Sequence, residues 1–176
     1  VTNATTGQAE YKNAMDMDKD FTMLRATCAL PMFFPAIELD GQKYYDGGIA
    51  DPIPAKKALE DGNLYGITER MGNVLQDVTI PRGFVKHFGK YDKMGARMLG
   101  HRYPEMKRQI FSRPERYNET VKYCEQLETE GKAMIIRPNH LLNSFESNVS
   151  RLEMAYWHGY RMTKEKMKKI KKFLTE

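Results

Sequence analysis

The sequence predicts an α/β fold followed by a mostly helical carboxyl-terminal extension, and three observations predict it. A strand, helix, strand order runs from Lys43–Tyr45 through Pro54–Glu60 to Leu64–Thr68. Residues 81–176 change character and carry long segments of helical period, which sets the expected boundary between 1–80 and 81–176. The chain has 176 residues, of which 41% are hydrophobic and 29% charged, enough to bury a core without disulfide or metal staples.

Val1–Lys12 reads as a hairpin that turns at Thr6-Gly7. Asp16–Asp20 supplies cap chemistry for a helix with the stripe Phe21, Leu24 and Cys28, stopped by Pro31. Pro35–Leu39 is a short strand, Asp40-Gly41 a tight turn, and Lys43–Tyr45 the returning strand. Pro54 suits the first turn of a helix that reaches Glu60 and ends at Gly62. Leu64–Thr68 is a short buried strand, and Arg70–Arg82 reads as a loop. His87–Gly100 and Pro104–Glu130 read as helices, the second interrupted at Arg113-Pro114. Lys132–Arg137 is one more strand and Val149–Leu174 the final helix.

Composition narrows the function classes. The formal charge of +5 permits attraction to anionic surfaces without requiring it. The basic run Lys164–Lys172 has no interleaved aromatic residues, so nucleic acid is not the expected partner. Cys28 and Cys124 lie far apart and have no metal spacing, which fits small apolar residues in a reducing cytoplasm. His87, His101, His140 and His158 make no pair at metal spacing, and no cofactor is expected. No apolar run approaches the ~18 residues of a membrane span. Val1–Tyr11 shows no basic start followed by an apolar stretch, and the absence of an initial Met points to a processed product or part of a longer polypeptide.

The segment richest in chemistry is Arg25-Ala26-Thr27-Cys28-Ala29-Leu30-Pro31, then Phe34-Pro35, Gly41 and Tyr44-Tyr45-Asp46-Gly47-Gly48. Asp46 follows a strand and precedes two glycines, which allow positive φ and close backbone approach. Such an aspartate can be presented at a sheet edge, where α/β enzymes place their sites. It can also be a plain Asp-Gly turn, the commonest turn pair. Local physics leaves both readings open.

This stretch resembles the second catalytic block of patatin-like phospholipases. In that family a helix ending in Ala-Ser-x-Ala-x-Pro leads through a short hairpin to Asp-Gly-Gly or Asp-Gly-Ala. Here Thr27 stands where the family usually has Ser, and Asp46-Gly47-Gly48 matches unchanged. Ile49-Ala50-Asp51-Pro52-Ile53-Pro54 also resembles the family. Further along, Tyr103-Pro104, Arg113, Tyr117-Asn118, Leu127-Glu128-x-Glu130-Gly131-Lys132 and Ile136-Arg137-Pro138 are similar to the extension of a bacterial subgroup. So are Arg151-Leu152, Tyr156 and Gly159-Tyr160.

The resemblance implies the carboxyl-terminal part of a three-layer α/β/α fold and hydrolysis of phospholipids or other acyl esters by a Ser–Asp dyad. It makes Asp46 the general base, and Gly47 and Gly48 the shapers of its loop. The serine of such a dyad sits in Gly-x-Ser-x-Gly on a strand-to-helix turn. Ser112, Ser144, Ser147 and Ser150 have no such glycines around them, and no glycine-rich oxyanion loop is present. The nucleophile is therefore expected in a missing amino-terminal half, and this chain alone is expected to be inactive.

Other residues carry weaker signals. Asp51 either assists the site or serves as a turn residue before Pro52. Arg25 either faces the site or pairs with an acid. Six lysines between Lys164 and Lys172, around Met167 and Ile170, make either a solvated face or a basic amphipathic helix on the inner face of an anionic membrane. Tyr156 and Trp157 read as packing residues. The alternative function is a non-catalytic module that binds a membrane or a protein and retains half a site.

Overall fold

A computed structural model of the chain describes residues 1–61, 74–77, 81–139, 141 and 146–175. It mixes helices with short strands, the α/β composition the sequence predicts. The strand expected at Leu64–Thr68, the boundary expected near residue 80, His140 and Ser144 lie outside the described residues. Two compact units are present. The first comprises Val1–Ile53 and Lys86–Glu119, the second Pro54–Val85 and Thr120–Glu176.

The first unit is built on a three-stranded antiparallel sheet in the order β1 (Thr2–Asn3), β3 (Gln42–Tyr45), β2 (Ile37–Leu39). Asp40 and Gly41 join β2 to β3 with φ of 53° and 72°, the left-handed conformations a two-residue hairpin turn demands. β1 pairs Thr2 with Tyr45 and Asn3 with Tyr44, so the chain start becomes an edge of this sheet. The expected hairpin over Val1–Lys12 exists in outline: Asn3 N–H donates to Gln8 O and Glu10 N–H to Val1 O, both at 2.9 Å. Its return leg holds only an isolated bridge, Thr2 to Ala9.

α1 (Thr22–Thr27) is shorter than the sequence predicts. Asp18 caps it through the Thr22 N–H at 2.8 Å, and the chain leaves the helix at Cys28, before Pro31 is reached. α3 (Lys90–Leu99) and the first half of α4 (Pro104–Thr129) close the core of this unit. Ala4, Ala29, Tyr45 and Ile49 meet Ala96, Leu99, Met106 and Ile110 there.

α4 is continuous through Pro114, contrary to the break expected at Arg113-Pro114. Proline lacks an N–H, so the Ile110 carbonyl loses its helical donor. Side chains also reach carbonyls one and two residues before it: Ser112 Oγ donates to Arg108 O at 3.2 Å, and Arg116 donates to Gln109 O at 3.1 Å. Pro114 is also buried, so packing holds the helix together across it.

The second unit contains α2 (Ala55–Glu60), β4 (Val74–Asp77), the end of α4, β5 (Ala133–Ile136) and α5 (Val149–Thr175). β4 lies inside the expected Arg70–Arg82 loop. Val-Leu-Gln-Asp is too short to signal a strand alone; its parallel partner β5 makes it one, with Val74 opposite Ala133. Gly131, at φ 72°, ends α4 with Lys132 N–H donating back to Leu127 O at 2.9 Å. Leu127 and Ala133 pack with Ala58, Leu59 and Tyr123. Among the described residues no helix is long and apolar enough to cross a membrane.

Candidate active site

Asp46 sits where β3 gives way to a 3₁₀ turn, Gly47–Ile49. Its backbone is tied on both sides. The Asp46 N–H donates to Ala29 O at 3.0 Å, which links the turn to the residues just after α1. Its carbonyl accepts the Thr2 hydroxyl at 2.7 Å. Thr2 is fully buried and its Oγ1 also accepts the Ala50 N–H at 3.2 Å, so one hydroxyl spans the whole turn.

The carboxylate caps the turn it begins. Oδ1 accepts the Gly48 N–H at 2.7 Å. Oδ2 has no hydrogen-bond partner among the described residues. Burial raises the Asp46 pKa above the ordinary carboxylate value, against the Gly48 hydrogen bond and the positive charge of Arg113. A carboxylate fixed through one oxygen and made more basic by partial desolvation can accept a proton at the other.

The two glycines serve close approach rather than positive φ. A Cβ on Gly47 would lie 3.0 Å from Thr27 Oγ1 and 3.2 Å from Val1 N. A Cβ on Gly48 would lie 3.0 Å from Asp46 Oδ1 itself. Thr27 at the end of α1 therefore lies against the glycine turn, which places the Ala26-Thr27 segment beside Asp-Gly-Gly.

From α4, Arg113 Nε donates to Gly48 O at 3.0 Å and Arg116 donates to Ile49 O at 2.7 Å. Arg113 also pairs with Asp92 of α3 at 3.4 Å. Arg116 receives further support from Ser112 Oγ at 2.9 Å. Sequence reasoning missed the roles of Thr2 and Arg116 and gave Arg113 none. The available signal was two arginines three apart, which share a helix face.

The remaining sequence candidates fall elsewhere. The Asp51 carboxylate accepts the Tyr11 hydroxyl, a partner 40 residues away. Arg25 lies exposed in the last turn of α1. Ser112 uses its hydroxyl on the backbone of α4 and on Arg116, and Ser147 and Ser150 belong to the second unit. Cys124 is fully buried, whereas Cys28 is exposed. Among the described residues no group of three or more His, Cys, Asp or Glu side chains could hold a metal ion. A groove of about 460 Å³ is lined by Met32, Phe33, Phe34, Tyr45, Met98 and Tyr103, among others. Tyr45 borders it; the Asp46 carboxylate does not.

Residues 3–59 match the family model of patatin-like phospholipases, which takes in Thr27 and the whole Asp46 turn. Residues 103–175 match a domain of unknown function, DUF6363, which takes in Arg113 and Arg116. No curated protein and no solved structure matches the chain.

Proposed function

We propose that this chain, patatin-like over residues 3–59, supplies the general base of a lipid acyl hydrolase, with Asp46 as that base. The observation that carries the proposal is the Asp46 carboxylate: fixed through Oδ1 by Gly48, partly desolvated, and raised in pKa by that burial. An ordinary carboxylate, with a pKa of about 4, is a feeble base toward a hydroxyl, and desolvation narrows the gap. In the proposed reaction a serine Oγ attacks the acyl carbonyl as its proton passes to Asp46. The alcohol leaves with that proton, and water then releases the acid by the same route. The serine belongs to a Gly-x-Ser-x-Gly turn outside these residues, within a three-layer α/β/α domain. The substrate class is phospholipids or other acyl esters, in the cytoplasm.

A fluorophosphonate probe, which captures activated serines, tests this together with turnover of a p-nitrophenyl ester. The 176 residues alone are expected to take up no probe and to leave the ester at background. A polypeptide that adds a Gly-x-Ser-x-Gly turn ahead of Val1 is expected to label at that serine and to hydrolyse the ester. Labelling at Ser112, Ser147 or Ser150, or full turnover after Asp46→Ala, would overturn the assignment.

One observation favours a second role, contact with an anionic membrane. Val149, Tyr156, Tyr160 and Met167 fall on one face of α5, and all four are exposed. Trp157 stands beside them, with Lys164 and Lys168 exposed on the same side. The packing role expected for Tyr156 and Trp157 is corrected here: they are 65% and 47% exposed and contact each other edge to face at 5.3 Å. Exposed aromatic side chains with nearby lysines suit a lipid headgroup layer of negative charge. Trp157 is the single tryptophan, so its fluorescence reports on this face alone. Vesicles rich in phosphatidylglycerol are expected to shift its emission to the blue, and Lys164→Glu with Lys168→Glu to abolish the shift. An equal shift with neutral phosphatidylcholine vesicles, or none with either, counts against membrane contact. Vesicle binding without hydrolysis in any serine-bearing form would favour the non-catalytic module.

A further inference from the structure

The 3₁₀ turn after Asp46 is a single turn and has no cooperative helix to stabilise it. The Ala50 and Asp51 N–H groups both go to the Gly47 carbonyl, so the next two carbonyls, of Gly48 and Ile49, must find donors elsewhere. They find them on α4. Arg113 takes the first at 3.0 Å and Arg116 the second at 2.7 Å, successive carbonyls met by side chains three apart on one helix face.

We propose that the first half of α4, within the domain of unknown function, is a working part of the Asp46 site, with Arg113 and Arg116 as its positioning residues. This rests on the reading of Asp46 as the reactive carboxylate. Hydrogen bonds from a charged donor are stronger than neutral ones, and both guanidinium groups are only partly exposed. Each is also braced behind the contact. Asp92 holds Arg113 from α3, while Ser112 and the Gln109 carbonyl hold Arg116 within α4. Thr2 grips the same turn through Asp46 O and the Ala50 N–H, so the turn is fixed from the sheet edge and from the helix. Of the two arginines, Arg113 also opposes with its charge the effect of burial on Asp46. The same helix thereby fixes where the carboxylate stands and limits how far its basicity rises.

The test needs no turnover, so failure of ester hydrolysis leaves it intact. In this chain the Asp46 carboxyl is titrated by carbon-13 NMR, and amide exchange is followed at Ala50 and Asp51. Arg113→Gln is expected to move the Asp46 midpoint to higher pH and to speed exchange at both amides by at least about tenfold. Arg116→Gln is expected to speed exchange while moving the midpoint less. Arg113→Lys keeps the charge but lacks the Nε donor, so the midpoint is expected to return toward that of the unsubstituted chain while exchange stays fast. Unchanged midpoint and exchange in Arg113→Gln, with α4 intact by circular dichroism, overturn the proposal. If Arg113→Gln fails to fold, Arg113→Lys decides: fast exchange with a restored midpoint supports positioning, and unchanged exchange overturns it.

Discussion

Asp46→Asn is expected to cost about 10²–10⁴-fold in ester hydrolysis by the serine-bearing protein, yet to make the fold more stable at neutral pH. The activity loss follows from chemistry: an amide cannot take up the serine proton. The stability gain follows from linkage. Burial raises the Asp46 pKa in the folded chain, whereas the unfolded chain titrates at the ordinary value, about 4. As pH rises from that value, the unfolded state sheds its proton first. Folding stability therefore falls across the window between the two pKa values, and the full penalty stands above the folded pKa. Asparagine has nearly the same shape, and its side-chain oxygen can still accept the Gly48 N–H, but it carries no charge to desolvate. Its advantage should be full above the folded pKa and vanish below about pH 4. Thermal unfolding of both forms at pH 7 and pH 3 checks the sign. A substituted chain less stable than the original at pH 7 would show that Arg113 and the Gly48 hydrogen bond outweigh burial, and would remove the physical basis for a strengthened base.

Such a trade is expected where a site holds a group for reactivity rather than for stability. Gly48 belongs to the same compromise. Its missing side chain leaves room for Asp46 Oδ1, at the entropic cost glycine carries in the unfolded chain.

How far this could be read in advance depends on the reach of each contact. The Asp40-Gly41 turn was legible because both residues must take positive φ, a demand satisfied within two positions. At Asp46-Gly47-Gly48 the turn was legible locally, since the cap contact spans two residues, while a catalytic reading came only from the resemblance. The partners that hold this turn were not. Thr2 lies 44 residues from Asp46, and Arg116 lies 67 from Ile49, so no local pattern betrays either. β4 escaped because its partner strand, far along the chain, creates it. The supposed break at Pro114 failed in the opposite direction. A strong local rule was overridden by packing, which buries the ring within the helix. Tyr156 and Trp157 show the limit of composition: aromatic residues usually pack inward, and these lie on an exposed face.

The match boundaries raise a sharper question, because the patatin-like match ends at residue 59 while the core around Asp46 does not. Met106 of α4 is fully buried and belongs to the cluster that contains Tyr45 and Ile49, the residues flanking the Asp46 turn. Met106→Ala is expected to destabilise the first unit by about 2–5 kcal/mol, the usual range for a truncated buried methionine. The transfer cost of the lost atoms accounts for part, and the cavity left between α4 and the sheet for the rest. A loss of this size is a large share of the stability of an ordinary domain. Urea unfolding followed by the amide signals of Tyr45, Asp46 and Gly48 measures it where it matters. Met167→Ala on α5 is the control: that side chain is 39% exposed, and its removal should cost well under half as much. Equal effects from the two substitutions would mean that the Asp46 turn does not depend on α4 packing. Early melting of the turn in Met106→Ala alone would show that residues 103–119, where the domain of unknown function begins, fold with the patatin-like turn inside the first unit.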